Sequence, residues 1–219
     1  MNKEIKPIIA ISQQIGDEPD TLLLYNNYIR FVESQGALAF VLPSYLNIED
    51  MEVMLNICDG IILPGGDDGH FDREKAESKI IEIAIKKDIP LLGICMGLQV
   101  SNVVLGGTTK KDIPNHWQIF PYNVVSHSVD VIPNTPLFEM LGESKIQVNS
   151  MHNNCIDVLA NSLVIMAMDD KVIEAAYRPE NSFFMLFQWH PEFIIESNSS
   201  KAIAESFVRA CKRYHNKKI

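Results

Sequence analysis

A chain of 219 residues, 47% hydrophobic and 21% charged, has the composition of a globular protein and fits a single domain over residues 1–219. Its formal net charge of -9 excludes a general affinity for nucleic acid or an anionic membrane, since such binding needs clustered Lys and Arg. The cysteines Cys58, Cys95, Cys155 and Cys211 form no CxxC pair, and no stretch reads as a signal peptide or as the ~20 apolar residues of a membrane helix, so a reducing cytoplasm is expected.

In chain order, Pro7 to Ser12 reads as a strand, Thr21 to Gln35 as a helix, Ala37 to Pro43 as a strand, Ile48 to Cys58 as a helix and Gly60 to Leu63 as a strand. A helix from about Arg73 to Lys87 puts Ala76, Ile80, Ile83 and Ala84 on one stripe, and the run Leu91 to Ile94 follows it. Runs this apolar imply strands buried on both faces of a parallel sheet. Beyond Gly106 and Gly107 the pattern turns strand-like, at Tyr122 to Val125, Ser128 to Ile132, Lys145 to Asn149, Leu163 to Met168, Val172 to Tyr177 and Phe183 to Gln188. A last helix runs from Lys201 to Tyr214, with Asn198, Ser199 or Ser200 as its N-cap. The basic residues Lys212, Arg213, Lys217 and Lys218 sit near its end, where they suit the helix dipole. The expected fold is therefore α/β: a doubly wound, mostly parallel central sheet with flanking helices and a strand-rich C-terminal half.

The segment Pro90 to Gly97 reads PLLGICMG, a strand followed by Gly-x-Cys-x-Gly and a helix from about Met96. This is the nucleophile-elbow pattern with cysteine in place of serine: small residues at 93 and 97 permit the sharp turn that lifts residue 95 above the sheet. A sulfur anion there would lie at the amino end of a helix, which favours negative charge. A thiol nucleophile needs a base, and the base needs a third group to fix its tautomer. His190 and Glu192, two residues apart where the strand Phe183 to Gln188 ends, can supply both. The loop Leu63 to Gly69 carries Gly65, Gly66 and Gly69 and can turn backbone amides toward a developing negative charge, with the Met96 N–H as a second donor. Among His116, His127, His152 and His190 no pair has the i, i+4 helical spacing and no Cys-rich set accompanies them, so no metal is expected and polar contacts are assigned to them.

Taken in order, Pro64-Gly65-Gly66, Gly93 to Gln99, Gly106-Gly107-Thr108, Asn149-Ser150-Met151-His152 and Gln188 to Glu192 resemble the class I glutamine amidotransferase-like hydrolases over nearly the whole chain. Within that superfamily the helix bearing Tyr28 and Ile29, together with the Asn-Ser-x-His stretch, makes the chain most similar to the gamma-glutamyl-gamma-aminobutyrate hydrolase, or peptidase C26, group. The resemblance implies a flavodoxin-like fold and cleavage of a gamma-glutamyl amide by Cys95, with His190 and Glu192 as partners, Gly66 and Met96 as oxyanion donors, and no cofactor. It also implies a substrate site built from Gly65, Gln99, Asn149, Ser150 and His152. Met96 and Asn153 depart from the Arg and second His usual in the group, and the segment after Gly66 is short, which bears on specificity and on the size of any lid. Three readings stand open: a stand-alone hydrolase of a small gamma-glutamyl compound, a glutaminase subunit serving a separate synthase, and a non-catalytic binding protein of the same fold. A homodimer is open as well.

Overall fold

Short runs of Ile, Leu and Val can be buried on both faces only in a sheet covered on each side. The computed structural model, which describes residues 5–15, 21–43, 45–66 and 71–218, has this arrangement. The chain begins with β1 (Ile8–Ser12), a small antiparallel pair β2 (Gln14–Ile15) and β3 (Leu22–Leu23), α1 (Asn26–Glu33), β4 (Leu38–Leu42), α2 (Ile48–Ile57) and β5 (Gly60–Leu63). It continues through α3 (Phe71–Lys87), β6 (Leu91–Ile94), α4 (Met96–Val104), β7 (Thr108–Lys110), β8 (His127–Val131), α5 (Pro136–Leu141) and β9 (Lys145–Val148). The remainder is β10 (Cys155–Val158), β11 (Val164–Asp169), β12 (Val172–Tyr177), β13 (Phe184–Phe187) and α6 (Asn198–Lys218).

Nine strands form one sheet in the order β4-β1-β5-β6-β13-β12-β11-β8-β9. The five from β4 to β13 are parallel, and the four beyond them pair antiparallel. Every residue of β5, β6 and β13 is buried, as expected of strands at the centre of a covered sheet, whereas β9 alternates exposed and buried positions. Alternation along β1 sends Ile9 and Ile11 into the layer that holds Phe31 of α1 and Phe207 of α6, while Ala10 joins Leu55, Ile80 and Leu98 of α2, α3 and α4 on the other face. The α/β, doubly wound expectation holds.

Several boundaries differ from the sequence reading. The first helix starts at Asn26 rather than Thr21, because Leu22 and Leu23 pair with Ile15 and Gln14. No strand forms at 122–125, where the Gln118 amide reaches the carbonyls of Pro121 and Val124 across a turn. The helix α5 lay in no expected element, although Thr135 caps it, Pro136 opens it and Gly142 ends it in the left-handed region. The cap of α6 is Ser197, whose hydroxyl accepts from the Ser200 amide at 3.1 Å, and not Asn198, Ser199 or Ser200. At the far end of that helix Lys218 reaches the Cys58 carbonyl and the Asp59 carboxylate.

Candidate active site

The strands β5, β6 and β13 are neighbours, and their carboxyl ends open at one place. Leu63 pairs with Gly93 and Ile94 with Phe187, so Gly65, Cys95 and His190 leave the sheet side by side. Ligands of open α/β sheets bind at this edge.

Cys95 has φ 51 and ψ −103, a conformation costly for a residue with a side chain and typical of a strained functional turn. The elbow exists because its flanking glycines touch backbone: a Cβ on Gly97 would overlap the Leu63 carbonyl oxygen, and one on Gly93 would lie 3.0 Å from the Gly97 carbonyl. The Cys95 amide donates to the Phe187 carbonyl at 2.7 Å, tying the elbow to the strand that delivers His190. As the first helical residue of α4, Met96 has an amide with no carbonyl to meet inside the helix.

The His190 Nδ1–H donates to the Glu192 carboxylate at 2.7 Å, and both side chains are buried. Burial works against charge on the imidazole, but the Glu192 carboxylate and then Cys95 outweigh it and push His190 up to about 10. The charged form of the ring is thereby favoured, in electrostatic contact with Cys95. Asn149 fixes the backbone of His190 from both sides: its amide donates to the His190 carbonyl, and its carbonyl oxygen accepts from the His190 N–H, each at 3.0 Å.

Gly65 is wedged beside these groups, since a Cβ there would lie 2.6 Å from His190 Cε1 and 3.3 Å from Cys95 Cβ. Its amide donates to the Tyr28 hydroxyl at 2.8 Å. Burial, and next the negative charge of Glu192, push the Tyr28 phenol well above its ordinary value, so it stays protonated against that carboxylate. Gln14 donates to the Gly65 carbonyl, Arg73 donates to the Pro64 carbonyl at 2.6 Å, and Arg73 is paired with Glu77 at 3.0 Å. Ser12 adds a hydrogen bond to Glu77 at 2.8 Å. This buried network pulls the loop carbonyls toward α3. Gly66, with φ 146, stands against Arg73 and Gln14. Asp67, Asp68 and Gly69, and with them the short segment read as a smaller lid, lie outside the described residues.

Of the residues expected to bind substrate, Gly65 adjoins Cys95, while Gln99, Asn149 and Ser150 make hydrogen bonds to protein. The Gln99 amide donates to the Asn154 carbonyl at 3.0 Å and to Gln188 at 3.2 Å, Asn149 holds His190, and the Ser150 hydroxyl donates to the His116 carbonyl at 2.6 Å. Sequence reasoning gave no role to Gln14, Arg73 or Glu77, although the i, i+4 spacing of Arg73 and Glu77 was a usable signal.

Although no pair of these histidines has helical spacing, three of them meet through strands and loops. His116, His127 and His152 converge, with the His116 ring 5.4 Å from the His127 ring and 5.0 Å from the His152 ring, beside Glu174 and Asp169. Only His190 of the four stands apart, with Cys95. His152 therefore directs Nε2 toward Glu174, at 3.6 Å.

The sequence model described as Peptidase C26 matches residues 7–192. The chain is 28% identical to a gamma-glutamyl-gamma-aminobutyrate hydrolase of Escherichia coli, the match covering 89% of this chain and 88% of that one. It is 25% identical to a protein of Rickettsia prowazekii named as glutamine amidotransferase-like, over 86% of this chain and 89% of the relative. In fold it matches the glutaminase domain of a Trypanosoma brucei CTP synthase with a TM-score of 0.71 at 18% identity, covering 95% of this chain and 94% of that one.

Proposed function

We propose that this chain, which belongs to the Peptidase C26 family, hydrolyses a small gamma-glutamyl amide through a gamma-glutamyl thioester on Cys95. The observation that carries the reading is a cysteine at φ 51 on a strand-to-helix elbow, set against a buried imidazole that Glu192 anchors at 2.7 Å. The relative named as a gamma-glutamyl-gamma-aminobutyrate hydrolase, matched over 88% of its length, supports the substrate class.

The Cys95 thiolate attacks the gamma-carbonyl carbon, forming a C–S bond and a tetrahedral oxyanion. The amides of Gly66 and Met96 receive the oxyanion, in a role typically worth ~100 to 1000-fold in turnover per donor. Collapse breaks the C–N bond as the His190 imidazolium gives its proton to the departing amine. The neutral imidazole then takes a proton from water, the hydroxide attacks the thioester, and the C–S bond breaks to release glutamate and restore the ion pair. Glu192 keeps the imidazole in the tautomer that points Nε2 at sulfur, and Tyr28 positions Glu192 and Gly65. Aromatic rings run outward from His190, with Phe193 at 5.7 Å and then Tyr25 and Tyr122 beside it, and offer the leaving amine an apolar wall.

The test is glutamate release from glutamine and a panel of gamma-glutamyl amines by the purified chain with no partner added, beside Cys95→Ala. Turnover that Cys95→Ala abolishes supports the stand-alone hydrolase. Silence on every compound overturns it in favour of a partner-dependent glutaminase or a binding protein.

A further inference from the structure

We propose that His116, His127, His152 and Glu174 bind one divalent transition-metal ion of the zinc class, with Asp169 as a further donor at the rim. The four residues come from four separate segments: His116 from the stretch between β7 and β8, His127 from the start of β8, His152 from the loop between β9 and β10, and Glu174 from the middle of β12. The fold brings them together around Glu174: the ligand atoms of His116, His152 and Glu174 lie within 4.8 Å of one another, and so do those of His116, His127 and Asp169. Glu174 Oε1 lies 3.7 Å from His116 Nε2, 3.7 Å from His127 Nε2 and 3.6 Å from His152 Nε2. Asp169 Oδ2 is 3.5 Å from the first of these nitrogens and 3.8 Å from the second.

These separations are too long for charge-assisted hydrogen bonds, which draw N and O to about 2.7–2.9 Å. They approach the edge of a tetrahedron around an ion with bonds of about 2.0–2.1 Å, which is about 3.4 Å. The ring orientations point the same way. His116 Nδ1 meets the Pro114 carbonyl at 2.8 Å and His152 Nδ1 meets the Asn154 carbonyl at 3.0 Å. A carbonyl only accepts, so Nδ1 carries a proton in both rings, and in the neutral form of each the Nε2 lone pair faces the cluster. Proteins hold ligating imidazoles in this way. His127 Nδ1 contacts the Ser126 hydroxyl at 3.3 Å, which leaves its Nε2 on the same side.

The cluster also has an unmet need. All three Nε2 atoms and both Glu174 carboxylate oxygens are buried without a hydrogen-bond partner among the described residues, and Glu174 is 0% exposed. One cation at the centre meets the facing donors together, and its charge offsets the buried carboxylate. A set dominated by imidazole suits zinc and its neighbours rather than calcium or magnesium, which take oxygen donors. Protein donors whose ligand atoms are buried from solvent suit a structural site rather than a catalytic one. The tie is well placed: the His152 amide and the Ser150 hydroxyl both donate to the His116 carbonyl, and the Met151 carbonyl between them lies 4.0 Å from Cys95 Sγ. An ion here would pin the 149–154 loop beside the elbow.

The experiment is titration of the chelator-treated full chain with Zn²⁺ and, in parallel, with Co²⁺. One tight equivalent per chain is expected, with visible cobalt absorption of a nitrogen and oxygen site, no thiolate-to-cobalt band, and a raised melting temperature. Glu174→Gln should weaken zinc binding by at least about a hundredfold, more than is usual for loss of a supporting group around a metal. Absence of stoichiometric binding by the wild-type chain, a thiolate band in the cobalt spectrum, or unchanged affinity in folded Glu174→Gln overturns the proposal. Should that variant fail to fold, the wild-type stoichiometry and cobalt spectrum decide alone.

Discussion

A single methyl group on Gly65 probes how closely the loop after β5, the cysteine and the histidine are fitted together. In Gly65→Ala the new Cβ would lie 2.6 Å from His190 Cε1, 3.2 Å from the Tyr28 oxygen and 3.3 Å from Cys95 Cβ. Carbon atoms rest about 3.5–4.0 Å apart, so the imidazole and the loop must separate by about 1 Å. The ring cannot yield freely, because Glu192 anchors Nδ1 at 2.7 Å and Asn149 holds the His190 backbone on both sides. A displacement of about 1 Å in a reacting constellation costs ~100-fold in rate, equivalent to about 2.7 kcal/mol of barrier. The assay is kcat/KM for glutamate release, with the melting temperature as a check on folding. Gly36→Ala serves as the control: no heavy atom lies within 4 Å of its added Cβ, so with φ 75 it carries backbone strain alone and leaves kcat/KM unchanged. A folded Gly65→Ala enzyme within twofold of wild type would refute the fit described here.

Further predictions concern the proton, the loop support and the thiols. Because His190 is raised to about 10, with Glu192 the main charge behind that rise, its proton should be retained through neutral pH and lost as the pH passes about 10. The corresponding stability is full below the ordinary histidine value of about 6.5 and fades between there and about 10. Glu192→Gln should therefore bring the alkaline limb of the kcat/KM profile to lower pH, and an unmoved limb would count against the ion pair. Arg73→Met leaves the buried Glu77 carboxylate without its partner and should lower stability by about 3–5 kcal/mol in urea unfolding; a loss under about 1 kcal/mol would mean that the pair does not anchor the Pro64–Gly66 loop. Burial pushes the thiols of Cys155 and Cys211 up and that of Cys58 up to about 12, so brief alkylation followed by peptide mapping should find Cys95 labelled first. Earlier labelling of any of the other three would contradict the assignment.

What the sequence disclosed follows from how local each signal is. The elbow is written in eight consecutive residues, and its two glycines are required by contacts with Leu63, Leu186 and each other that a Cβ would obstruct. The pairing of His190 with Glu192 is equally local, set by two residues' separation at a strand end. The parallel strands announced themselves because β5, β6 and β13 are buried on both faces and so are apolar throughout. The short pairs β7 with β10 and β2 with β3 rest on partners far along the chain or on two residues alone, and no periodicity reveals them. Helix α5 was readable from Thr135, Pro136 and Gly142 but has only six residues, too few for an apolar stripe. The histidine cluster escaped because its members are far apart in sequence and converge only when β8, β12 and the loop after β9 fold together. The same distance hid the Gln14 and Arg73 supports of the Gly65 loop.

The central claim, that Cys95 carries the gamma-glutamyl group, is tested most directly by acid-quenching the protein during turnover of a gamma-glutamyl amide and measuring its intact mass, followed by peptide mapping. A single added gamma-glutamyl group on the Cys95 peptide, absent from Cys95→Ala, is the predicted result. Glutamate release by Cys95→Ala at the wild-type rate, or an adduct on any other residue, would contradict it.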